Sequence, residues 1–323
     1  MVLVSILLLA VHLLAMNVAS AGPLVCVWLH GRGRRGDGTA FAAGRQLAWL
    51  AVVVLLAGVA VGALLLAMAW LDAGRGYFDA LSRFPTAALV HAGGEAVFSL
   101  ACLVVYAGMW ERWRGWPWLH GLWAVVAATN LLYHFPPLMV ALGTLSVRPE
   151  LVPESLITRD VFRPLMVRSE VLAQSAHFAL ASFAVAGLAL MIVAARLRRL
   201  PTNEPERSGR LIRAGAVIAL AASLGQLVVG VWVLLELPLR VRHALIGDDW
   251  LATGLFFAAI VGTFGLLHAL ALAGLGETSD GSVRRCAAFM LGITVLMTGV
   301  LETARHAERK NEMPGYWATA ESQ

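Results

Sequence analysis

The sequence predicts an all-α polytopic membrane protein, with about eight transmembrane helices forming two four-helix bundles. Three observations lead there. Hydrophobic residues fill 59% of the 323 positions and charged residues only 14%, where a soluble domain carries about 25% charged residues. Apolar runs long enough to cross a hydrocarbon layer of about 30 Å recur along almost the whole chain. The arginines fall mostly in the short segments between those runs. There they set topology, so the net charge of +5 is no sign of nucleic-acid binding.

The first span, about 2–29, lacks the basic leading segment of a signal peptide and is expected to be retained. Spans at about 46–70, 85–110 and 119–146 complete a first bundle within 1–146. Spans at about 167–195, 211–236, 251–275 and 284–303 form a second within 167–303, and 304–323 is a polar tail. Pro136 and Pro137 are expected to kink the fourth span. Gly58 and Gly62 in the second span, and Gly93 and Gly94 in the third, allow close helix approach. No internal repeat stands out.

One set of connections holds Arg32, Arg34, Arg35, Arg45, Arg112, Arg114, Arg196, Arg198, Arg199, Arg207, Arg210, Arg213, Arg284 and Arg285. The other holds fewer arginines and more acids. The positive-inside rule then turns the first set to the cytoplasm and both termini to the periplasm. Richness in Arg, Ala, Leu and Gly is that of a GC-rich bacterial genome, so the bacterial inner (cytoplasmic) membrane is the expected location. Tyr77, Trp250 and Trp317 at outer span ends read as interfacial anchors. Cys26, Cys102 and Cys286 are isolated, which argues against a zinc site, a disulfide framework and covalent c-type heme.

Four histidines, His12, His91, His134 and His177, sit inside apolar spans. At about 1.5 Å per residue they lie roughly 9–18 Å from the outer ends, all in the outer half. An intramembrane ionisable residue is a functional-site candidate. Several imidazoles at one level point to a metal-bearing cofactor between helices, heme being the usual one. His268 lies deeper, His30, His120 and His306 flank spans, and His243 falls in an outer loop. These five read as structural.

The order of features resembles subunit I of the cytochrome bd quinol oxidases. The residues behind the resemblance are AVHLLAMNVASAGPLV in span one, GVAVG in span two, and MWERWRGWPWLHGLW between spans three and four. AQSAHFALASFAVAG in span five, LGQLVVGVW in span six and GVLETAR in span eight continue the series. The resemblance implies that His12, His177 and Glu302 are heme ligands and that Arg305 lies beside a heme propionate. It implies one to three hemes, heme b with heme d as the family's other group, and a role in respiratory electron transfer. Implied partners are a second membrane subunit and a quinol donor.

The chain also departs from the family. The positions of two family carboxylates in span three fall at His91, which keeps a ligand but loses the charge, and at Ser99. The family's Met ligand falls near Ile260, where no Met stands. The long quinol-oxidising loop is reduced to about 237–250, so a quinol site of the family's kind is doubtful. His12 is expected to share a heme with His91 or His134, and His177 to serve a second. The polar stretch from Arg148 to Glu170, the longest outer loop, offers either a dock for a periplasmic cytochrome c or a short interfacial connection. Two other readings compete: a cofactor-poor membrane anchor subunit of a respiratory complex and, with less support, a transporter.

Overall fold

The computed structural model describes residues 2–71, 76–153, 155–201 and 204–309, with only the backbone of 306–309. Most of the expected polar tail, with Lys310 and Trp317, and the side chain of His306 lie outside the described residues.

Among the described residues the chain is all-α, with eight helical spans long and apolar enough to cross a membrane. In chain order the helices are α1 (Val2–Arg34), α2 (Gly38–Leu71), α3 (Gly76–Ser82), α4 (Thr86–Gly108), α5 (Pro117–Tyr133), α6 (Phe135–Leu145), α7 (Arg159–Met166), α8 (Ser169–Arg198), α9 (Pro205–Glu236), α10 (Leu239–His243), α11 (Trp250–Leu275) and α12 (Asp280–Arg309). Helices α5 and α6 together form the fourth span, Pro117–Leu145. The break between them falls at His134, where Pro136 and Pro137 lack the N–H groups that the carbonyls of Leu132 and Tyr133 would bind. Most spans outrun the apolar stretches of the sequence because their arginine-bearing ends stay helical beyond the hydrocarbon depth.

Packing follows two rings. Helix α1 packs on α2, α2 on α4, α4 on α5, and α5 back on α1; likewise α8 packs on α9, α9 on α11, α11 on α12, and α12 on α8. The rings meet through α1 against α8 and α12, and through α2 and α6 against α8. Helix α8 is accordingly the most buried span.

Small residues make these approaches possible. A Cβ at Gly187 would lie 2.6 Å from the Gly215 carbonyl oxygen, and one at Gly215 would lie 2.5 Å from that of Gly187. Helices α8 and α9 therefore touch backbone to backbone. The buried middle of α1, Asn17 to Pro23, includes Ala19, Ser20, Ala21 and Gly22. Ser182 of α8 donates to the Asn17 side-chain oxygen at 3.0 Å, joining the two rings at their centre.

The stretch from Arg148 to Glu170 is a folded cap. The Arg83 guanidinium binds the carbonyls of Pro149 and Val152, and the Ile157 N–H returns to the Arg83 carbonyl at 2.7 Å. Ala80, Phe84, Leu142, Leu145, Ile157 and Leu165 form a separate apolar cluster beneath it. The 237–250 connection is a smaller cap, with Val241 and Leu245 packed on Ala252 and Val300. It turns at Gly247, whose φ of 149° favours glycine.

Candidate functional site

His12 sits on the glycine face of α2. Its Nδ1–H donates to the Gly58 carbonyl at 2.8 Å. A Cβ at Gly62 would stand 3.0 Å from His12 Cε1, so the imidazole fills the space a side chain would take. Met16 fills the matching space at Gly58, 2.8 Å from its Cβ position. This hydrogen bond fixes the tautomer. With the proton on Nδ1, Nε2 carries a lone pair, the arrangement usual for a metal-ligating imidazole.

His177 occupies the corresponding place in the second ring. Its Cε1 lies 3.8 Å from a Cβ position at Gly230 of α9, and its Nε2 lies 3.4 Å from the Gln226 side-chain amide. Its Nδ1 is buried without a hydrogen-bond partner. Asn17 follows His12, and Ser182 follows His177, by the same interval in sequence. Gly22, further along α1, faces Ala51 of α2; Gly187, equally far along α8, faces Ala219 of α9. The two halves thus repeat one helix-pair design.

His91 and His134 come together, but at a carboxylate. The His134 Nδ1–H donates to Glu95 Oε1 at 2.5 Å, and His91 Nε2 lies 3.1 Å from the same oxygen. His91 projects outward with its side chain 77% exposed, His134 is at 44% and Glu95 is at 17%. The exposed Tyr133 ring lies 5.1 Å from that of His134. One turn deeper, the Asn130 amide donates to the Glu95 carbonyl at 2.8 Å and to the buried Ser99 hydroxyl at 2.7 Å. A polar row therefore runs along the α4–α5 seam from Ser99 to His91.

Sequence reasoning missed Glu95 and Asn130. Glu95 is the one carboxylate in the apolar run of α4, and the rule that singles out His91 applies to it equally. Placing the family's two carboxylates at His91 and Ser99 passes over the acid between them.

Glu302 and Arg305 lie near the end of α12. Arg305 Nη2 stands 3.3 Å from a Cβ position at Gly143 of α6 and is close enough to Tyr77 of α3 to act on its phenol. Burial raises the Tyr77 pKa and the Arg305 charge opposes that rise. Tyr77 is partly buried against the apolar cluster beneath the cap. Thr298, one turn before Glu302, donates to the Ile6 carbonyl at 3.3 Å and ties α12 to α1.

The flanking histidines differ among themselves. His30 and His120 are buried at the Arg-rich end with ring centroids 4.6 Å apart, packed with Tyr106 and Trp110. The His120 Nε2–H donates to the Tyr106 carbonyl at 2.8 Å, while His30 Nε2, Tyr106 Oη and Trp110 Nε1 are buried without partners. His268 and His243 are exposed.

Among the described residues, no contact joins His12, His177 and the His91–His134 pair, and no three His, Cys, Asp or Glu side chains are grouped to hold a metal ion. The cysteines are buried and free. At the level of single ligands, His12 fits an axial heme ligand through its fixed tautomer. His177 fits through its buried Nδ1 only where the Gln226 amide turns its oxygen to Nε2, because an amide N–H donated to Nε2 leaves the proton on Nδ1. His91 and His134, both turned to Glu95, do not fit in this arrangement. No protein-family model matches the chain, and no curated protein matches it.

Proposed function

We propose that this multi-pass membrane protein is a heme-b-binding electron-transfer component of a respiratory oxidoreductase, similar to cytochrome bd oxidase subunit I but without its quinol loop. The proposal places it in the bacterial inner membrane with both termini in the periplasm. Partners would be a second membrane subunit and either a periplasmic cytochrome c or a quinol. The observation that carries the reading is His12: an imidazole in an apolar span, its Nδ1–H tied to the Gly58 carbonyl, its Nε2 left with the lone pair.

His12 would be one ligand and His177 another, and heme would supply one-electron redox chemistry. The protein's share is orientation and exclusion of water. Gly58 fixes the plane of the His12 ring, and Gly62 leaves room beside it. Gln226 and Gly230 do the same for His177. At the outer end, Glu95 accepts from His134 and lies beside His91.

The test is an absorption spectrum of the purified protein. A Soret band with reduced-minus-oxidised b-type bands is expected, diminished by His12→Ala and by His177→Ala. No Soret band, with or without added heme, would overturn the proposal. A second reading, a cofactor-poor anchor subunit, is favoured by one observation: His91 and His134 spend their contacts on Glu95. On that reading both alanine variants leave the complex assembled and active.

A further inference from the structure

At the Arg-rich end, α1 and α9 leave a groove of about 600 Å³, lined by Trp28, Arg32, Arg210, Arg213, Val217 and Ile218. We infer that this groove binds the phosphate headgroup of an anionic phospholipid, with an acyl chain lying along its apolar wall.

The charge at this end is unevenly matched. Arg198 and Arg199 pair with Asp280, Arg207 with Glu204, and Arg285 with Glu277. Arg32 is held by Asp37, through Nη2 at 2.8 Å and Nε at 3.2 Å, and its guanidinium lies 5.4 Å from the centre of the Trp28 ring. Arg210 and Arg213 have no carboxylate partner among the described residues. They stand one helical turn apart on α9, so both guanidinia reach the same mouth. Arg213 is further placed by Gly276 at the end of α11, where its Nη2 comes 2.8 Å from a Cβ position. A side chain at Gly276, where φ is 127°, would push that guanidinium away.

Below the arginines the lining turns apolar. Val217 and Ile218 lie one to two turns deeper on α9, and Val217 is 50% exposed beside the 40% exposed Trp28. Cations at the rim, an indole at interface depth and aliphatic side chains beneath match the layering of a phospholipid. Planar guanidinium groups bind phosphate oxygens through paired hydrogen bonds. Basic pockets between transmembrane helices are the usual sites of such headgroups. A soluble phosphate would satisfy the arginines alone and leave the apolar wall unused.

Native mass spectrometry of the full chain in mild detergent tests the inference, with cardiolipin, phosphatidylcholine and inorganic pyrophosphate as separate probes. Cardiolipin is expected to bind in preference to phosphatidylcholine. Arg210→Gln/Arg213→Gln should weaken cardiolipin binding about tenfold or more, while Arg159→Gln/Arg163→Gln, two exposed side chains of α7, should leave it unchanged. Equal binding of both lipids, or an affinity of the α9 variant within about twofold of the parent, would overturn the inference. Displacement of cardiolipin by millimolar pyrophosphate would overturn the lipid assignment in favour of a soluble phosphate. Should the double variant lose its fold, Arg210→Gln alone changes only an exposed side chain and gives the same comparison.

Discussion

Replacing Gly187 by Ala tests the backbone contact between α8 and α9. The new Cβ would lie 2.6 Å from the Gly215 carbonyl oxygen and 2.8 Å from the Ala219 backbone nitrogen. Ordinary contact for such atoms begins near 3.4 Å, so α8 and α9 must separate by several tenths of an ångström along their shared length. Both obstacles are backbone, so no rotamer change relieves them. Overpacking of this kind costs roughly 1–3 kcal/mol. Against it stands the gain of removing a glycine from a helix interior, roughly 0.5–1 kcal/mol. The net expectation is a destabilisation of about 1 kcal/mol, within limits of roughly 0 and 2.5, or a few degrees in Tm. Gly94→Ala is the control: nothing lies within 4 Å of its Cβ position, so only the helix gain remains and the sign reverses. Intrinsic fluorescence of the 11 tryptophans during heating in detergent reads both. Should Gly187→Ala melt above the parent temperature, the backbone contact between α8 and α9 is wrong.

Asn130→Leu leaves the buried Ser99 hydroxyl without its donor and is expected to cost about 0.5–1.5 kcal/mol. A denaturation midpoint in mixed micelles unchanged from the parent would contradict the α4–α5 row. Asp37 lies between α1 and α2, outside the spans. Burial pushes its pKa up, but the Ala40 N–H and Arg32 outweigh that and hold it below the ordinary carboxylate value. A carboxyl depressed in the folded state adds stability above its unfolded pKa, about 3.9, and loses it as pH falls through the folded value. The Tm difference between the parent and Asp37→Asn should therefore be flat above about pH 5 and shrink below about pH 4; a difference that grows in acid would refute the sign.

The eight spans were legible because each is an apolar run bounded by arginines or prolines, and Pro136–Pro137 announced the break at His134. Burial of His30 and His120 was not legible, because position at a span end says nothing of which face points inward. The folded cap at 148–170 was hidden for a similar reason: its apolar residues are dispersed among prolines and charges, and only contact with α3 and α6 gathers them. The repeat is faint in the sequence because lipid-facing and packing positions accept any aliphatic residue. Between His12–Gly22 and His177–Gly187 the two histidines, two glycines and a few alanines coincide, while Asn17 faces Ser182 and Met16 corresponds to Ala181. The chemistry of the row at Glu95 needed two helices, and no spacing within one helix reveals the partner on the other.

The repeat sharpens the expectation for the cofactor. The shift that sets Gly58 and Gly62 against Gln226 and Gly230 also sets Asn130 and His134 against Thr298 and Glu302. Each half then offers an imidazole on its first helix, seated on a small residue of its second, and an ionisable group at one level of its fourth. Such a duplicated unit is expected to bind the same number of hemes per half, so the proposal favours two per chain over one or three. Extraction of heme against measured protein concentration gives that ratio directly. His12→Ala should remove one equivalent and His177→Ala the other, each leaving the remaining spectrum intact. A parent ratio of one, or loss of all heme from either single variant, would show that the halves share one cofactor, and the equivalence of His12 and His177 would then be one of packing alone.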